Sequence, residues 1–510
     1  MLCNSSNNSI SGLNGYIIEG GMDLHKYIKR KLGECLFEDP VRDPALKWLT
    51  ENIFRVIDDA SVTDESLHAE AAKWLEWARS KKDLKIVTVD VPDGILPKGT
   101  IGRLHDVKVF TRRGPDDVVY DSQQDIREKV ARGNCFLEIC RDEDESTVIC
   151  VIHALKKFTG ELGDDDDRTS GSEFIWQRYF TQPFHTAKAI ICTKKQNGEA
   201  AHLGARRIGS EIYICAGSKN VHLMFRSYKD LDLYPLHEPR YQIAKEISRC
   251  ILEMLDSLPE SDRVHLLEFL CATRCTAVFE LLSPDHQHVE DLSGLAAPKL
   301  KFIAWTSSHL ESAESFTHFC CLPPDSGIEL AKIFQLNTTE YGVISVGSLD
   351  EHMSDICSRH GVEGEVLFFL DEDRRTIGML KKKSVWYIVV RAIRQKAHTA
   401  CMSYSKNTEA FVLGTHVHKT VQRLKEIQQW QQLDDESVSS WKNLAEKFLT
   451  FCIEQLHVKS FSASHFMACF PGQWKSFLLE MEETDHIESV SYFTPCFTSD
   501  FSFVSSENLS

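Results

Sequence analysis

The residues in this sequence best suited to chemistry are a lysine at the end of an apolar strand and an ordered set of acids and lysines after it. The stretch from Ala189 runs Ala-Ile-Ile-Cys-Thr-Lys-Lys and then Gln, so Lys195 is followed by Asn197 and Gly198. A Lys-x-Asn-Gly tetrapeptide alone also fits a plain surface turn. Its weight comes from what lies downstream. A strand at Ile212 ends in Ser218 and Lys219, and a strand at Ala277 ends in Glu280. Phe302 to Trp305 follows, then Glu363-Gly364-Glu365-Val366 before an apolar run, then Lys381-Lys382-Lys383-Ser384. Such a set offers an amine nucleophile with other cations and carboxylates after it in the chain. A free lysine is neutral in only ~1 in 2,500 molecules at pH 7, and holding it neutral costs roughly 4.6 kcal/mol. Desolvation and nearby positive charge reduce that cost. Lys381 and Lys383, two apart on one strand, face the same side. They are expected to depress the pKa of Lys195 and to hold a phosphate, with Lys382 pointing away toward solvent or a bound strand. Glu363 is the expected carboxylate for Mg²⁺, which takes few protein ligands and keeps waters.

In this order the stretches resemble the motifs of the covalent lysine nucleotidyltransferases, the superfamily of DNA ligases, RNA ligases and mRNA capping enzymes. Two upstream segments narrow the resemblance. Ala131-Arg132-Gly133, with Phe136 beyond, and Lys157-Phe158-Thr159-Gly160 are similar to segments that precede the nucleophile in RNA ligases of the bacteriophage RNA-repair type and their tRNA-ligase relatives. The second departs from the family's Lys-Phe-Phe-Asn at its last two positions. The resemblance spans roughly residues 125–396. It implies an ATP-dependent RNA ligase with ATP and Mg²⁺ as cofactors. Lys195 would take AMP from ATP, pass it to an RNA 5′-phosphate, and a 3′-hydroxyl would then displace it. Lys195, Lys381, Lys383 and Glu363 are the implied catalytic residues. Lys194, Asn197, Gly198, Lys219, Glu280, Trp305, Arg132 and Lys157 are the implied ATP contacts, and Glu363 and Glu280 the metal ligands. Trp305 is the expected adenine-stacking ring, since a base needs a flat π partner, with Phe302 as the alternative.

Lys157 also fits a Lys-x-x-Gly pattern and is a rival nucleophile. Lys195 is preferred because it closes a strand and has Asn197 two residues on. Two basic clusters are expected to track RNA: Arg206, Arg207, Lys219 and Arg226, and Arg374, Arg375, Lys381 to Lys383, Arg391 and Arg394. The single His416-x-His418-x-Thr420 has no second copy and reads as ordinary helix surface. There is no P-loop and no paired His-x-Thr motif, so a sealing enzyme is expected. A kinase and a phosphodiesterase acting in trans would supply its RNA ends, tRNA among them. The alternatives are a capping-type or DNA-ligase-type enzyme, or a catalytically dead relative that binds RNA or nucleotide.

These residues need sheets to position them. The expected fold class is α+β: a mixed or antiparallel β-sheet nucleotidyltransferase core, unlike ATP-grasp, with a helical N-terminal lead-in and a helical C-terminal domain. The expected boundaries are a disordered tail over 1–21, a helical or mixed region over 22–120, an adenylation domain over 121–400 and a helical domain over 401–510. Met22 could be the biological start. Strands are expected at 86–89, 107–110, 135–139, 189–193, 211–215, 277–281, 302–305, 365–370 and 385–392, and helices over 241–258 and 260–270. The acidic run from Gly163 to Arg168 reads as a surface loop. The 17 scattered cysteines match no zinc spacing and suit reduced thiols in the cytoplasm or nucleus. A net charge of −17 argues against non-specific coating of nucleic acid but leaves room for a local basic groove. No apolar run approaches the ~20 residues of a membrane span, so no membrane partner is expected.

Overall fold

Alternating apolar residues after Leu84 form three antiparallel sheets. The computed structural model describes residues 23–481 except 36–38, 59–62, 113, 143–144, 162, 165–173, 236–237 and 311–318. The expected tail, the question of Met22 and the acidic run beyond Asp164 lie outside the described residues. The first sheet is β1 (Leu84–Asp90), β2 (Ile101–Val109), β3 (Asn134–Asp142) and β4 (Glu145–His153), in chain order. The next strands are β5 (Ala189–Lys194), β6 (Glu199–Ile208), β7 (Glu211–Ser218), β8 (His222–Phe225), β9 (Thr276–Leu282), β10 (Lys299–Thr306), β11 (Tyr341–Ser345), β12 (Gly364–Leu370) and β13 (Thr376–Lys383). They divide into a second sheet of order β10-β9-β6-β7-β8 and a third of order β11-β5-β12-β13. The protein is therefore α+β with antiparallel sheets.

One core joins the first two sheets, one face of the third and the first two N-terminal helices, and the third N-terminal helix packs on the first sheet in a core of its own. Those helices, Leu24–Gly33, Asp43–Ile57 and Asp64–Arg79, are bound into the rest of the chain. The Tyr27 hydroxyl donates to Asp262 at 2.9 Å, and its ring stacks on His265 with centroids 4.0 Å apart. Arg42 pairs with the buried Glu329 at 2.8 Å, and Trp74 stacks on Phe136. Thr63 caps the third helix by accepting from Ser66 N–H, a standard way to satisfy a free amide in the first turn.

The strand expected at 385–392 is instead the start of helix Val385–Lys406. Ser384 caps it, accepting from Tyr387 N–H at 3.1 Å. The β-branched run Val385, Ile388, Val389, Val390 has strand composition. Its apolar side chains are needed around a helix, against a second core that includes Leu424, Trp441, Phe448 and Trp474. That core unites the helix with Leu413–Gln431, Asp435–His457 and Phe466–Glu480. His416 stacks on Phe411 and Thr420 donates to the His416 carbonyl, so the His-x-His-x-Thr stretch is helix packing. Among the described residues no helix is long and apolar enough to cross a membrane.

Candidate active site

Strand β5 ends at Lys194 and β6 begins at Glu199, so residues 195–198 carry the chain from the third sheet to the second. Lys195 N–H still donates to the Gly364 carbonyl at 2.9 Å, extending the β5–β12 ladder. Gly364 pairs with Lys383, and Val366 with Lys381. Directly paired residues share a face, as do alternate residues of one strand. Lys195, Lys381 and Lys383 therefore lie on one face. Ile191, Phe368 and Met379 on that face enter the core shared with the second sheet, so the three lysines stand where the two sheets part. A Cβ at Gly364, where φ is +136°, would lie 2.1 Å from the Lys382 carbonyl, so only glycine fits before this strand.

The carboxylates come from both sheets. Glu363 is buried, and its Oε1 lies 2.9 Å from Lys195 Nζ. Its Oε2 accepts from Asn197 Nδ2 at 2.7 Å. Glu280 projects from β9 and accepts from Gly198 N–H at 3.1 Å. Gly198 has no room for a side chain, since a Cβ would sit 2.2 Å from the Leu281 carbonyl. Its close approach is thus to the strand that carries Glu280, where the sequence suggested a nucleotide. Asn197 is a buried knot. It also donates to the Tyr387 hydroxyl at 2.9 Å, and its Oδ1 accepts from Val289 N–H at 3.1 Å and Glu290 N–H at 3.2 Å.

The electrostatics differ from the expectation at Lys195. Burial alone would lower its pKa, but the charges of Glu363 and then Glu280 outweigh burial and hold the ammonium above the ordinary lysine range. The net depression expected from Lys381 and Lys383 is not seen, because the two acids dominate at its amine. Burial pushes Glu280 up to about 7; Lys195 opposes this and Glu363 adds to it. Burial also favours the neutral form of Glu363, yet Lys195 and Lys383 bring it below the usual carboxylate range. Glu280 and Glu363 offer the hard oxygen donors that suit Mg²⁺.

Other expected residues fall around this cleft or away from it. Lys194 pairs with Glu365 across the ladder, on the face opposite Lys195, and its Nζ lies 3.9 Å from Glu290. Lys219 follows β7 at the Glu280 end of the second sheet, two strands from β9 and about 10 Å away; it is exposed. Lys157 lies beside β13, where Lys381 N–H donates to the Thr159 carbonyl. Lys157 is held by Asp117 at 3.0 Å and Asp116 at 3.3 Å, and Arg132 also pairs with Asp116. Burial, then Arg132 and Lys381, lower the Lys157 pKa. Lys382, expected to face solvent or RNA, is buried against Glu161 at 2.6 Å and Asp164 at 3.8 Å.

Trp305 is not placed to stack on a base. A bulge between Phe302 and Ala304 puts Phe302 opposite Phe279 and Trp305 opposite Ala277, so both rings turn to the same buried face. The Trp305 indole donates to the Gly327 carbonyl at 2.9 Å, and its ring packs on Phe269, Phe302 and Phe334. Lys301 takes the place opposite Glu280. Trp305→Ala should lower the unfolding free energy in urea by about 3–5 kcal/mol, the usual cost of emptying a buried aromatic site. A loss under about 1 kcal/mol would contradict the core assignment.

Several arginines of the two expected RNA clusters are engaged by acids. Arg207 pairs with Glu268, Arg226 with Glu211 and Asp230, Arg374 with Asp325 and Arg375 with Asp371. Arg394 is buried and donates to the Gln287 and Met467 carbonyls. Two buried groupings with metal-ligand residue types, Asp106-Cys135-His222 and Cys192-His352-Glu365, are already engaged. His222 bonds Asp106 at 2.6 Å, and Glu365 takes His352 at 2.7 Å and Arg359.

The sequence alone missed Tyr387 and Glu290. Tyr387 lies three residues past Ser384 and would have pointed inward had that segment been read as a helix. Glu290 lies in a loop without periodic signal, yet it accepts from Glu363 N–H at 2.9 Å.

Fold and site together define an α+β protein in which a lysine and paired carboxylates meet where two antiparallel sheets part. The chain belongs to the family described as Domain of unknown function (DUF7920), whose profile matches residues 104–394 and so includes every cleft residue named above. No curated protein matches it.

Proposed function

We propose that this chain is an ATP-dependent RNA ligase that joins 5′-phosphate and 3′-hydroxyl ends. One observation carries the reading: Lys195 lies 2.9 Å from Glu363, and Glu280 and Lys383, from two other strands, act on this pair. These are the residues whose order resembles the nucleotidyltransferase motifs. In the first step the Lys195 amine forms a bond to the α-phosphorus of ATP as the bond to pyrophosphate breaks. Lys195 enters as an ammonium, whose charge attracts the triphosphate, and its proton passes to Glu363 Oε1, 2.9 Å away, before the N–P bond forms. Lys381 and Lys383 share its face and are placed to hold phosphate oxygens. Mg²⁺, held by Glu363 and Glu280, would supply charge neutralisation on the phosphates.

Among enzymes of this type, capping enzymes and DNA ligases usually carry a strand-rich barrel after the last lysine motif. Here four helices occupy 385–480, which supports RNA as the substrate. End-healing enzymes acting in trans and a cytoplasmic or nuclear site are part of the same proposal. The test is intact-mass and peptide mass spectrometry after incubation with ATP and Mg²⁺. One added AMP, carried by Lys195 and absent with GTP, is expected. An unmodified chain would refute the proposal.

A further inference from the structure

Arg206 stands apart from the other arginines of the described residues that pair with acids. It is 6% exposed, near the far end of β6 from Lys195. Nη1 donates to the Ala205 carbonyl at 2.7 Å. Nη2 donates to the carbonyls of Cys150 at 2.7 Å and Arg274 at 3.1 Å, and to Ser308 Oγ at 2.9 Å. Every one of these acceptors is neutral, and Nε has no partner. The charged or ionisable groups that act on Arg206 are the thiols Cys150, Cys271 and Cys215 and another cation, Arg274. A buried charge is expensive unless an opposite charge meets it, and among the described residues no acid pairs with Arg206.

Arg206 borders a cavity of about 370 Å³, which is also lined by Asp64, His68, Arg207, Arg274 and Ser308. This size lies within the usual range for a small-ligand site. Arg274 is paired with Asp64, and Arg207 with Glu268, so Arg206 leaves the group with a surplus of positive charge. Leu67, Ile149 and Ile208 give part of the wall an apolar surface. The chain also bends to build the place. Arg274 adopts a left-handed backbone, φ +55°, and its carbonyl takes both Arg206 and Ser308. The cavity is about nine strand residues along β6 from Gly198, or about 30 Å, so it is separate from the Lys195 cleft.

We propose that this cavity is an anion site that binds a phosphate group, with the ligand providing the counter-charge that Arg206 lacks. Guanidinium groups match phosphate oxygens in geometry as well as charge. The phosphate could belong to a free organic phosphate or to the end of an RNA strand.

The experiment is calorimetric titration of the full chain with inorganic phosphate at low ionic strength, against chloride at matched ionic strength. Saturable phosphate binding is expected, and Lys195→Ala, which empties the distant cleft of its lysine, should retain it. Arg274→Gly removes a cavity charge while keeping the left-handed backbone and the carbonyl that holds Arg206, and it should weaken phosphate about tenfold. Arg207→Gln, a surface change that tests the same site if the first variant fails to fold, should weaken it several-fold. Competition by ribose 5-phosphate alone would assign the site to free organic phosphates. Competition by a 5′-phosphorylated RNA oligonucleotide but not its 5′-hydroxyl twin would assign it to RNA ends. Phosphate binding no stronger than chloride, or binding unchanged in both arginine variants, would overturn the proposal. Because the readout is binding rather than joining, failure here leaves the ligase reading intact, and the converse also holds.

Discussion

A chain with alanine in place of Lys195 should form no covalent AMP adduct and should lose RNA joining by more than about 10³-fold, since removing a covalent nucleophile removes the route. It should still seal RNA that already carries AMP on its 5′ end. In that last step the 3′-hydroxyl attacks the activated phosphate and the lysine takes no covalent part. This pairing of outcomes separates a missing nucleophile from a misfolded cleft. The distinction matters because Lys195 is also the counter-ion of two acids. Its Nζ is 2.9 Å from Glu363, and both Glu363 and Glu280 act on it. Removing one member of a buried pair typically costs 3–5 kcal/mol. Here Glu280, already held near pH 7, can take up a proton and absorb part of that loss, and Lys383 remains beside Glu363. Lys194 cannot substitute, because its position in the ladder puts it on the opposite face. Lys157 is the other candidate, and it is held by Asp116 and Asp117. An adduct that survives Lys195→Ala and disappears in Lys157→Ala would move the nucleophile to the upstream Lys-x-x-Gly pattern.

What was legible in the sequence follows the range of the forces involved. The strands beside Lys195, Glu280 and Glu363 were readable because alternation is a local pattern, and so was the shared face of Lys381 and Lys383, but the strand that carries those two, Thr376–Lys383, was not among the expected ones, which placed a strand after it at 385–392. The helix at Val385 was misread because β-branched composition is a weak guide when a capping serine and a second apolar core decide the outcome. Trp305 was misplaced by one extra residue in β10, a bulge that no periodic count reveals. The basic clusters show a different limit. Arginines near one another in sequence were read as a surface, but several find an acid or a carbonyl from a distant segment, as Arg374 does with Asp325. Partner identity is long-range information. The same holds for Lys195, whose charge is set by acids 85 and 168 positions downstream, by subtraction of 195 from 280 and 363.

Glu280→Gln should make the protein more stable at pH 8 while impairing nucleotide transfer. The carboxyl of Glu280 is pushed by burial, and by Glu363, from 4.5 up to about 7. Between these values the folded chain keeps a proton that the unfolded chain releases. Stability therefore falls as pH rises through the window from about 4.5 to 7, and the full penalty is present above 7. Given partial access to water and the opposing charge of Lys195, the penalty should be about 1–3 kcal/mol. Glutamine is nearly isosteric, cannot ionise, and keeps an oxygen to accept from Gly198 N–H, which Glu280 now does at 3.1 Å. Urea denaturation should then show the variant ahead of the wild type at pH 8, with the gap closing toward pH 4.5. Transfer of AMP should drop because the charge that Lys195 and a divalent cation both need is gone. An unchanged or reduced stability at pH 8 would mean that Glu280 is comfortably ionised in the fold, satisfied by Lys195 alone. The cost at Glu280 comes first from burial, with Lys195 opposing it and Glu363 adding to it, and under the proposed function a bound divalent cation would lower that cost by meeting the carboxylate with positive charge.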